Sequence, residues 1–207
     1  MQINADFEFV IKLIIIGDTG VGKTNFIFRY TQNQFSPLHV TTVGFDSKYK
    51  IIKLPKYKKK VKVQIFDTAG QERYMSLNKS QFHKVQGIIL MYDITERDSF
   101  DNVTKWLDLI NQTVTNKAIF LIANKIDKED QRIVSVTEGE KLARENNILF
   151  FEGSGATGEN VSKIFEKIAE KIYTSLTEDK NEEEENGNVI LNDSGMNLKK
   201  KKCCSKG

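Results

Sequence analysis

The sequence predicts an α/β protein in which helices cover both faces of a mostly parallel sheet. Four short, continuous apolar runs are typical of buried parallel strands, and they lie at residues 9–16, 87–92, 118–123 and 148–151. Helix-like segments alternate with them at 23–31, 100–113, 137–146 and 161–176. Two alternating stretches, 48–54 and 61–66, flank a lysine-rich turn and predict an antiparallel hairpin at one edge of the sheet.

Individual elements carry more specific expectations. Thr137 and Glu140 have the spacing of a capping box at the start of the third helix. In the last helix the apolar residues recur at helical spacing and predict a core-facing side. Trp106 lies in a similar pattern, so we interpret it as a core residue.

Length and composition limit the possible classes of protein. A chain of 207 residues with 39% hydrophobic and 29% charged residues suits one ordinary folded domain. The formal net charge of +3 is too small to indicate nucleic-acid binding. Cys203 and Cys204 are adjacent and are the only cysteines, which excludes a disulfide framework. We expect a short extension (1–8), one folded domain (9–176) and a flexible tail (177–207).

A glycine-rich loop joins the first strand to the first helix, which is the context that a phosphate-binding P-loop requires. Its glycines let successive N–H groups turn inward, and the helix N-terminus adds partial positive charge. Lys23 can reach the outer phosphates of a nucleotide, and the Thr24 hydroxyl can ligate Mg²⁺. The alternative is a glycine-rich turn before a surface helix. The loop residues are Gly17, Asp18, Thr19, Gly20, Val21, Gly22, Lys23 and Thr24.

The end of the hairpin supplies candidate groups for hydrolysis. Asp67 directly follows the stretch 61–66, so its carboxylate is expected at the same sheet edge as the glycine-rich loop. There it can help to hold Mg²⁺. Gly70 permits a close backbone approach to a terminal phosphate, and Gln71 is a candidate for orienting the attacking water.

A second polar turn predicts the base. Asn124, Lys125 and Asp127 follow the apolar run 118–123. A carboxylate can accept two hydrogen bonds from guanine, whereas adenine lacks that pair of donors and would leave the charge unpaired. The turn therefore favours guanine.

Together these segments resemble the small GTPases of the Ras superfamily, and the Rab branch in particular. The resemblance covers the chain from Phe9 to about Leu176 and includes the glycine-rich loop, Asp67 to Tyr74, Tyr92 to Thr95, Ser99 to Trp106, Asn124 to Asp127 and Thr157 to Val161. It implies a Ras-like domain with a six-stranded sheet, one antiparallel edge strand and about five helices. GTP or GDP with Mg²⁺ would be the cofactors.

The resemblance also assigns residues. Thr42 corresponds to the threonine that ligates Mg²⁺ beside Thr24 and Asp67, and Phe35 to the aromatic that packs on guanine. Gln71 and Lys23 would be catalytic. The last guanine loop is Ser154, Gly155 and Ala156, where the family usually has Ser-Ala-Lys; the lost lysine removes packing on the base, while the Gly155 N–H is kept to face the guanine oxygen.

The end of the chain resembles a Rab prenylation site. Cys203 and Cys204 follow four lysines, 199–202, and two lipids or one lipid with a basic cluster anchor a protein firmly. The resemblance implies a switch on the cytoplasmic face of an endomembrane, with a cytosolic pool. Its partners would be an exchange factor, a GTPase-activating protein, a GDP-dissociation inhibitor or escort protein and effectors.

Three other interpretations stay open at this point. A P-loop kinase or ATPase would act on ATP, an interaction scaffold would bind nucleotide with little cycling, and a soluble GTPase would carry no lipid.

Overall fold

The structure is a computed structural model that describes residues 7–37, 45–68, 82–114 and 117–186. It contains one six-stranded sheet in the order β2-β3-β1-β4-β5-β6. Five strands are parallel and only the edge strand β2 is antiparallel, as predicted. The strands are β1 (Phe9–Ile16), β2 (Phe45–Leu54), β3 (Lys59–Thr68), β4 (Gly87–Asp93), β5 (Ala118–Asn124) and β6 (Leu149–Gly153).

Five α-helices and two 3₁₀-helices occur in the described ranges. The 3₁₀-helices are Pro55–Tyr57, in the turn of the β2–β3 hairpin, and Ile126–Gln131, after β5. The α-helices are α1 (Lys23–Gln32), α2 (Arg97–Asp101), α3 (Val103–Thr113), α4 (Val136–Glu145) and α5 (Val161–Asn186).

The sheet brings the ends of distant segments to one edge. Strand β1 lies between β3 and β4, with Ile14 paired to Phe66 on one side and to Ile88 on the other. All seven residues of β4 are buried, as expected for a central parallel strand covered on both faces. The carboxyl ends of β1, β3, β4 and β5 therefore lie side by side, where α/β proteins bind ligands.

Two helix predictions require correction. The capping box uses Ser135 and Glu138 instead of Thr137 and Glu140, because α4 begins at Val136, one residue earlier than predicted. Both pairs have the same spacing, and only Ser135 has the extended backbone of an N-cap. The predicted helix 100–113 is two helices, which meet at Asn102.

The core predictions are confirmed. Trp106 is 5% exposed and packs with residues of β4 and β5. In α5 the residues at helical spacing are buried, and they are Val161, Ile164, Phe165, Ile168 and Ile172. Helix α5 continues to Asn186, ten residues beyond its predicted end.

Internal contacts divide the chain into two units, Met1–Tyr173 and Thr174–Gly207. Every described residue of the site below belongs to the first unit. Among the helices that the structure describes, none combines the length and the apolar character needed to span a bilayer.

Candidate nucleotide-binding site

The glycine-rich loop, residues 17–24, has the backbone shape that its glycines predict. Gly17, Gly20 and Gly22 have φ angles of 136°, 87° and 96°, which residues with a side chain rarely adopt. Helix α1 begins at Lys23, and Gly22 caps it without a side-chain hydrogen bond. A helix N-terminus of this kind favours an anion.

Lys23 lies inside this loop. Its side chain is almost completely buried, and its ammonium donates to Gly17 O at 2.8 Å and to Asp18 O at 2.7 Å. The positive charge is therefore held against the loop backbone, within the curve that would surround a phosphate.

Thr24 and Asp67 meet across two elements. The Thr24 hydroxyl at the start of α1 donates to Asp67 Oδ2 near the end of β3 at 2.7 Å. A hydroxyl and a carboxylate are the hard oxygen ligands that Mg²⁺ prefers, so this donor set fits the predicted ion.

Asn124 joins the glycine-rich loop to the last predicted guanine loop. Its Nδ2 donates to Val21 O at 2.7 Å, and its Oδ1 accepts from the Gly155 N–H at 3.0 Å. The side chain is 2% exposed, and its Nδ2 lies 2.6 Å from where a Cβ on Gly22 would be. The Gly155 N–H, which the family resemblance assigns to the guanine oxygen, thus donates to Asn124, and it would have to share or change this acceptor to face a base.

Asp127 and Ser154 also lie in contact. The Ser154 hydroxyl donates to Asp127 Oδ1 at 2.5 Å and accepts from the N–H groups of Ala156 and Thr157 at 3.1 and 3.0 Å. Ser154 is fully buried. It therefore orients the Asp127 carboxylate and shapes the loop that follows β6.

Phe35 has a more exposed position than these residues. Its side chain is 43% exposed. The adjoining Ser36 is tied to Asn25 of α1 by two hydrogen bonds of 2.9 and 3.1 Å. The segment that carries Phe35 is therefore held near the start of α1 with its aromatic side chain partly exposed.

Several supporting residues were not predicted. Arg29 of α1 donates to the carbonyls of Gly155 and Ala156 and so connects α1 to the last loop. Asp93 at the end of β4 pairs with Lys125 at 2.5 Å. No local sequence pattern indicates these contacts, because the partners are 126, 127 and 32 residues apart.

Asp18 was predicted as a loop residue, but its partners were not. Its Oδ1 accepts from the Trp106 indole N–H at 2.8 Å, and its Oδ2 accepts from Asn102 Nδ2 at 2.7 Å. The sequence predicted only that Trp106 belongs to the core. The residue is buried, and its indole N–H also donates a hydrogen bond to the glycine-rich loop.

The remaining predicted residues lie outside the described ranges. They are Thr42, Gly70, Gln71, Cys203 and Cys204. Their roles stay predictions.

The fold and the loop define a P-loop nucleotide-binding protein. The Ras family model matches residues 12–174. The chain is 40% identical to the Ras-related protein Rab-10 of Diplobatis ommata over 200 residues, which are 96% of this chain and 98% of that protein.

Two further relatives are similar over most of their length. The GTP-binding protein ypt2 of Schizosaccharomyces pombe is 38% identical over 96% of this chain and 98% of its own. The human Ras-related protein Rab-3A is 41% identical over 84% of this chain and 78% of its own. The chain belongs to the Ras family and, within it, to the Rab-type small GTPases, which hydrolyse GTP and work in vesicle trafficking.

Proposed function

We propose that this Rab-type GTPase binds GTP and GDP with Mg²⁺ at the site above, hydrolyses GTP slowly, and acts as a membrane-anchored switch in intracellular vesicle trafficking. One observation supports the location of the binding site. Asn124 bonds to both the phosphate loop and the loop after β6. A single ligand with phosphates at one end and a base at the other can therefore contact both loops.

Residues 17–24 bind the phosphates of the nucleotide. Backbone N–H groups of the loop and the N-terminus of α1 bind the phosphate oxygens. The Lys23 ammonium exchanges its loop carbonyls for a phosphate oxygen, which is a stronger, charged acceptor. Thr24 and Asp67 would hold Mg²⁺, whose charge would offset the charge of the phosphates.

The turn after β5 binds the base of the nucleotide. Asp127, oriented by Ser154, accepts from the two guanine donors. Asn124 and Lys125 set the turn, and Phe35 packs on the base. The last loop, Ser154 to Ala156, closes the site without the lysine that is usual in the family.

Three residues outside the described ranges complete the switch. Thr42 would contact Mg²⁺ and the γ-phosphate, and Gly70 the γ-phosphate, only when GTP is bound, and this ordering would distinguish the two states. Gln71 orients the attacking water. A GTPase-activating protein accelerates this slow step, and an exchange factor resets the switch. Effectors bind the GTP form.

The tail would place the switch on a membrane. Prenylation of Cys203 and Cys204 with the attraction of lysines 199–202 holds the chain on the cytoplasmic face of an endomembrane. A GDP-dissociation inhibitor or escort protein maintains the cytosolic pool. We expect a Cys203→Ser/Cys204→Ser variant to lose membrane association in cells, whereas the control Ser205→Ala keeps it. Equal membrane fractions would contradict the anchor.

Base recognition has a direct test. Asp127→Asn replaces one acceptor by an amide donor, which suits the C2 carbonyl of xanthine better than the amine of guanine. We expect GDP affinity to fall by at least about 100-fold and XDP affinity to rise. Asp130→Asn, an exposed acid in the same turn, is the matched control. ATP competing as well as GDP for the parent chain would instead support a kinase or ATPase.

Hydrolysis is tested at Gln71. In single-turnover experiments Gln71→Leu should slow GTP hydrolysis at least about tenfold, because the water is no longer oriented. Gln131→Leu changes an exposed glutamine after β5 and should leave the rate unchanged. An undiminished rate in Gln71→Leu would overturn this role. No measurable hydrolysis in the parent chain would favour a nucleotide-bound scaffold.

A further inference from the structure

We propose that Asp18 is a positioning residue, through which Trp106 and Asn102 hold the phosphate loop in its nucleotide-binding shape, and that Trp106 consequently reports whether the loop is occupied. This inference rests on the proposed function of the same site.

The carboxylate of Asp18 is held at both oxygens by one helix. Trp106 Nε1 donates to Oδ1 at 2.8 Å and Asn102 Nδ2 donates to Oδ2 at 2.7 Å. Both donors lie at the N-terminal end of α3, 84 and 88 residues from Asp18 in the chain. Hydrogen bonds to an ionised acceptor are stronger than neutral ones, and two of them restrict the carboxylate to one orientation.

The donors are themselves fixed. The Asn102 amide is oriented because its Oδ1 accepts from Lys105 Nζ at 2.7 Å, which leaves Nδ2 to face the loop. The Trp106 ring is 5% exposed and packs in the cluster that includes Leu90 and Tyr92 of β4. The loop is thus attached to the packed core instead of to another loop.

The backbone of Asp18 connects this anchor to the phosphate-binding group. The Asp18 carbonyl oxygen accepts from Lys23 Nζ at 2.7 Å. This carbonyl group is bonded to the same Cα that carries the anchored side chain. Asn124 holds the loop at Val21, on its other side. If the Asp18 anchor is lost, the loop loses its side-chain connection to Asn102 and Trp106, and the positions of Lys23 and of the loop N–H groups are less restricted.

Trp106 is the only tryptophan of the chain. Its indole N–H donates directly to Asp18 of the glycine-rich loop. A change in the loop therefore alters this hydrogen bond and the electric field at the indole ring. Intrinsic fluorescence therefore measures the loop without an added label.

The experiment uses the full-length chain loaded with tritiated GDP. The variants are Asp18→Ala, Asp18→Asn, Asn102→Ala and the double variant Asp18→Ala/Asn102→Ala. Thr104→Ala is the control, because the Thr104 hydroxyl of the same helix donates to Asp101 O and not to the loop. GDP dissociation, Trp106 emission on GDP release and the thermal midpoint of the nucleotide-free protein are measured for each.

We expect GDP to dissociate about tenfold faster from Asp18→Ala and less so from Asp18→Asn, which keeps an acceptor for the indole. Asn102→Ala acts through Asp18, so the double variant should release GDP no faster than Asp18→Ala alone. The change in Trp106 emission on GDP release should be at most half of the parent's in an Asp18→Ala sample that starts fully loaded with GDP. Thr104→Ala should match the parent in every measurement.

Three results would overturn the inference. They are a parent-like dissociation rate in Asp18→Ala, independent effects of Asp18 and Asn102 in the double variant, and a lowered thermal midpoint with an intact emission change. The last would indicate a role in stability alone. If Asp18→Ala does not fold, Asp18→Asn and Asn102→Ala decide. A parent chain that retains no GDP would overturn the proposed function itself, and with it this inference.

Discussion

The Lys125 ammonium lies 2.5 Å from the Asp93 carboxylate and joins the turn after β5 to the end of β4. Asp93 is 3% exposed, and its other oxygen accepts from the N–H and the hydroxyl of Thr95. Lys125 has a φ angle of 71°, so this pair stabilises a backbone conformation that is unusual for lysine. We expect the turn that carries Asp127 to depend on this ion pair.

Asp93→Asn should lower the free energy of unfolding by about 1.5–3 kcal/mol, because the ammonium loses its charged acceptor while Lys125 keeps partial contact with solvent. Thr95→Val removes a neutral donor at the same carboxylate and should cost about 1 kcal/mol. Denaturant unfolding of both variants measures the difference. Equal losses would show that the charge of Asp93 adds nothing.

The phosphate loop provides a test of close backbone approach. A Cβ on Gly17 would lie 2.1 Å from Met91 O, and the φ angle of 136° is strained for any side chain. We expect Gly17→Ala to lower the free energy of unfolding by about 2–4 kcal/mol.

Gly20→Ala is the matched control for this substitution. It has a positive φ angle of 87°, but a Cβ there meets nothing within 4 Å. It should cost only about 1 kcal/mol. If chemical denaturation gives equal values for the two variants, steric contact with Met91 does not matter.

Gly139 is a helical glycine whose replacement should destabilise the protein. A Cβ at this position would lie 2.6 Å from the Phe150 ring and from the Tyr92 hydroxyl. The overlap should cost about 1–3 kcal/mol. It opposes the gain of about 1 kcal/mol that alanine offers in a helix.

Tyr92→Phe separates the two contacts at Gly139. Burial raises the pKa of the Tyr92 hydroxyl, and within the described residues this group has no hydrogen-bond partner. The variant should be neutral or stabilising by itself, and Gly139→Ala should cost less in its background. A double-mutant cycle by thermal unfolding measures this coupling. An unchanged cost would assign the overlap to Phe150 alone.

Glu138 makes stability depend on pH at the start of α4. The Arg97 guanidinium, followed by the N–H and hydroxyl of Ser135, lowers the pKa of this carboxyl to about 2 from 4.5. Because the folded pKa lies below the unfolded one, the stabilisation is complete above about pH 4.5 and is lost as the pH falls toward 2. Salt should weaken it, since Glu138 and Arg97 are exposed.

Glu138→Gln removes this titration. The stability difference between the parent and the variant should be constant above pH 4.5 and should shrink below it. Carboxyl ¹³C NMR of Glu138 measures the pKa directly. A midpoint near 4.5 would contradict the role of Arg97 and Ser135. Glu140→Gln, an exposed acid of the same helix, is the control.

The elements that sequence patterns predicted well are those with a local cause. The bounds of β1 agree with the prediction, because a continuous apolar run is both the signal and the reason for burial. The start of α4 was predicted one residue too late and its capping box two residues too late, since two overlapping patterns of equal spacing compete and only the backbone at Ser135 distinguishes them.

The sequence by itself determined the backbone shape of the glycine-rich loop, and it predicted phosphate binding there and guanine recognition in the turn after β5. Glycine, lysine, threonine and aspartate at those spacings have few other uses, and each acts through its own backbone freedom or functional group. Tertiary structure alone decided which side chains hold these groups in place. Trp106 on Asp18, Arg29 on Gly155 and Asp93 on Lys125 join segments that are distant in the chain. Such contacts depend on strand order and side-chain direction, which no local pattern encodes.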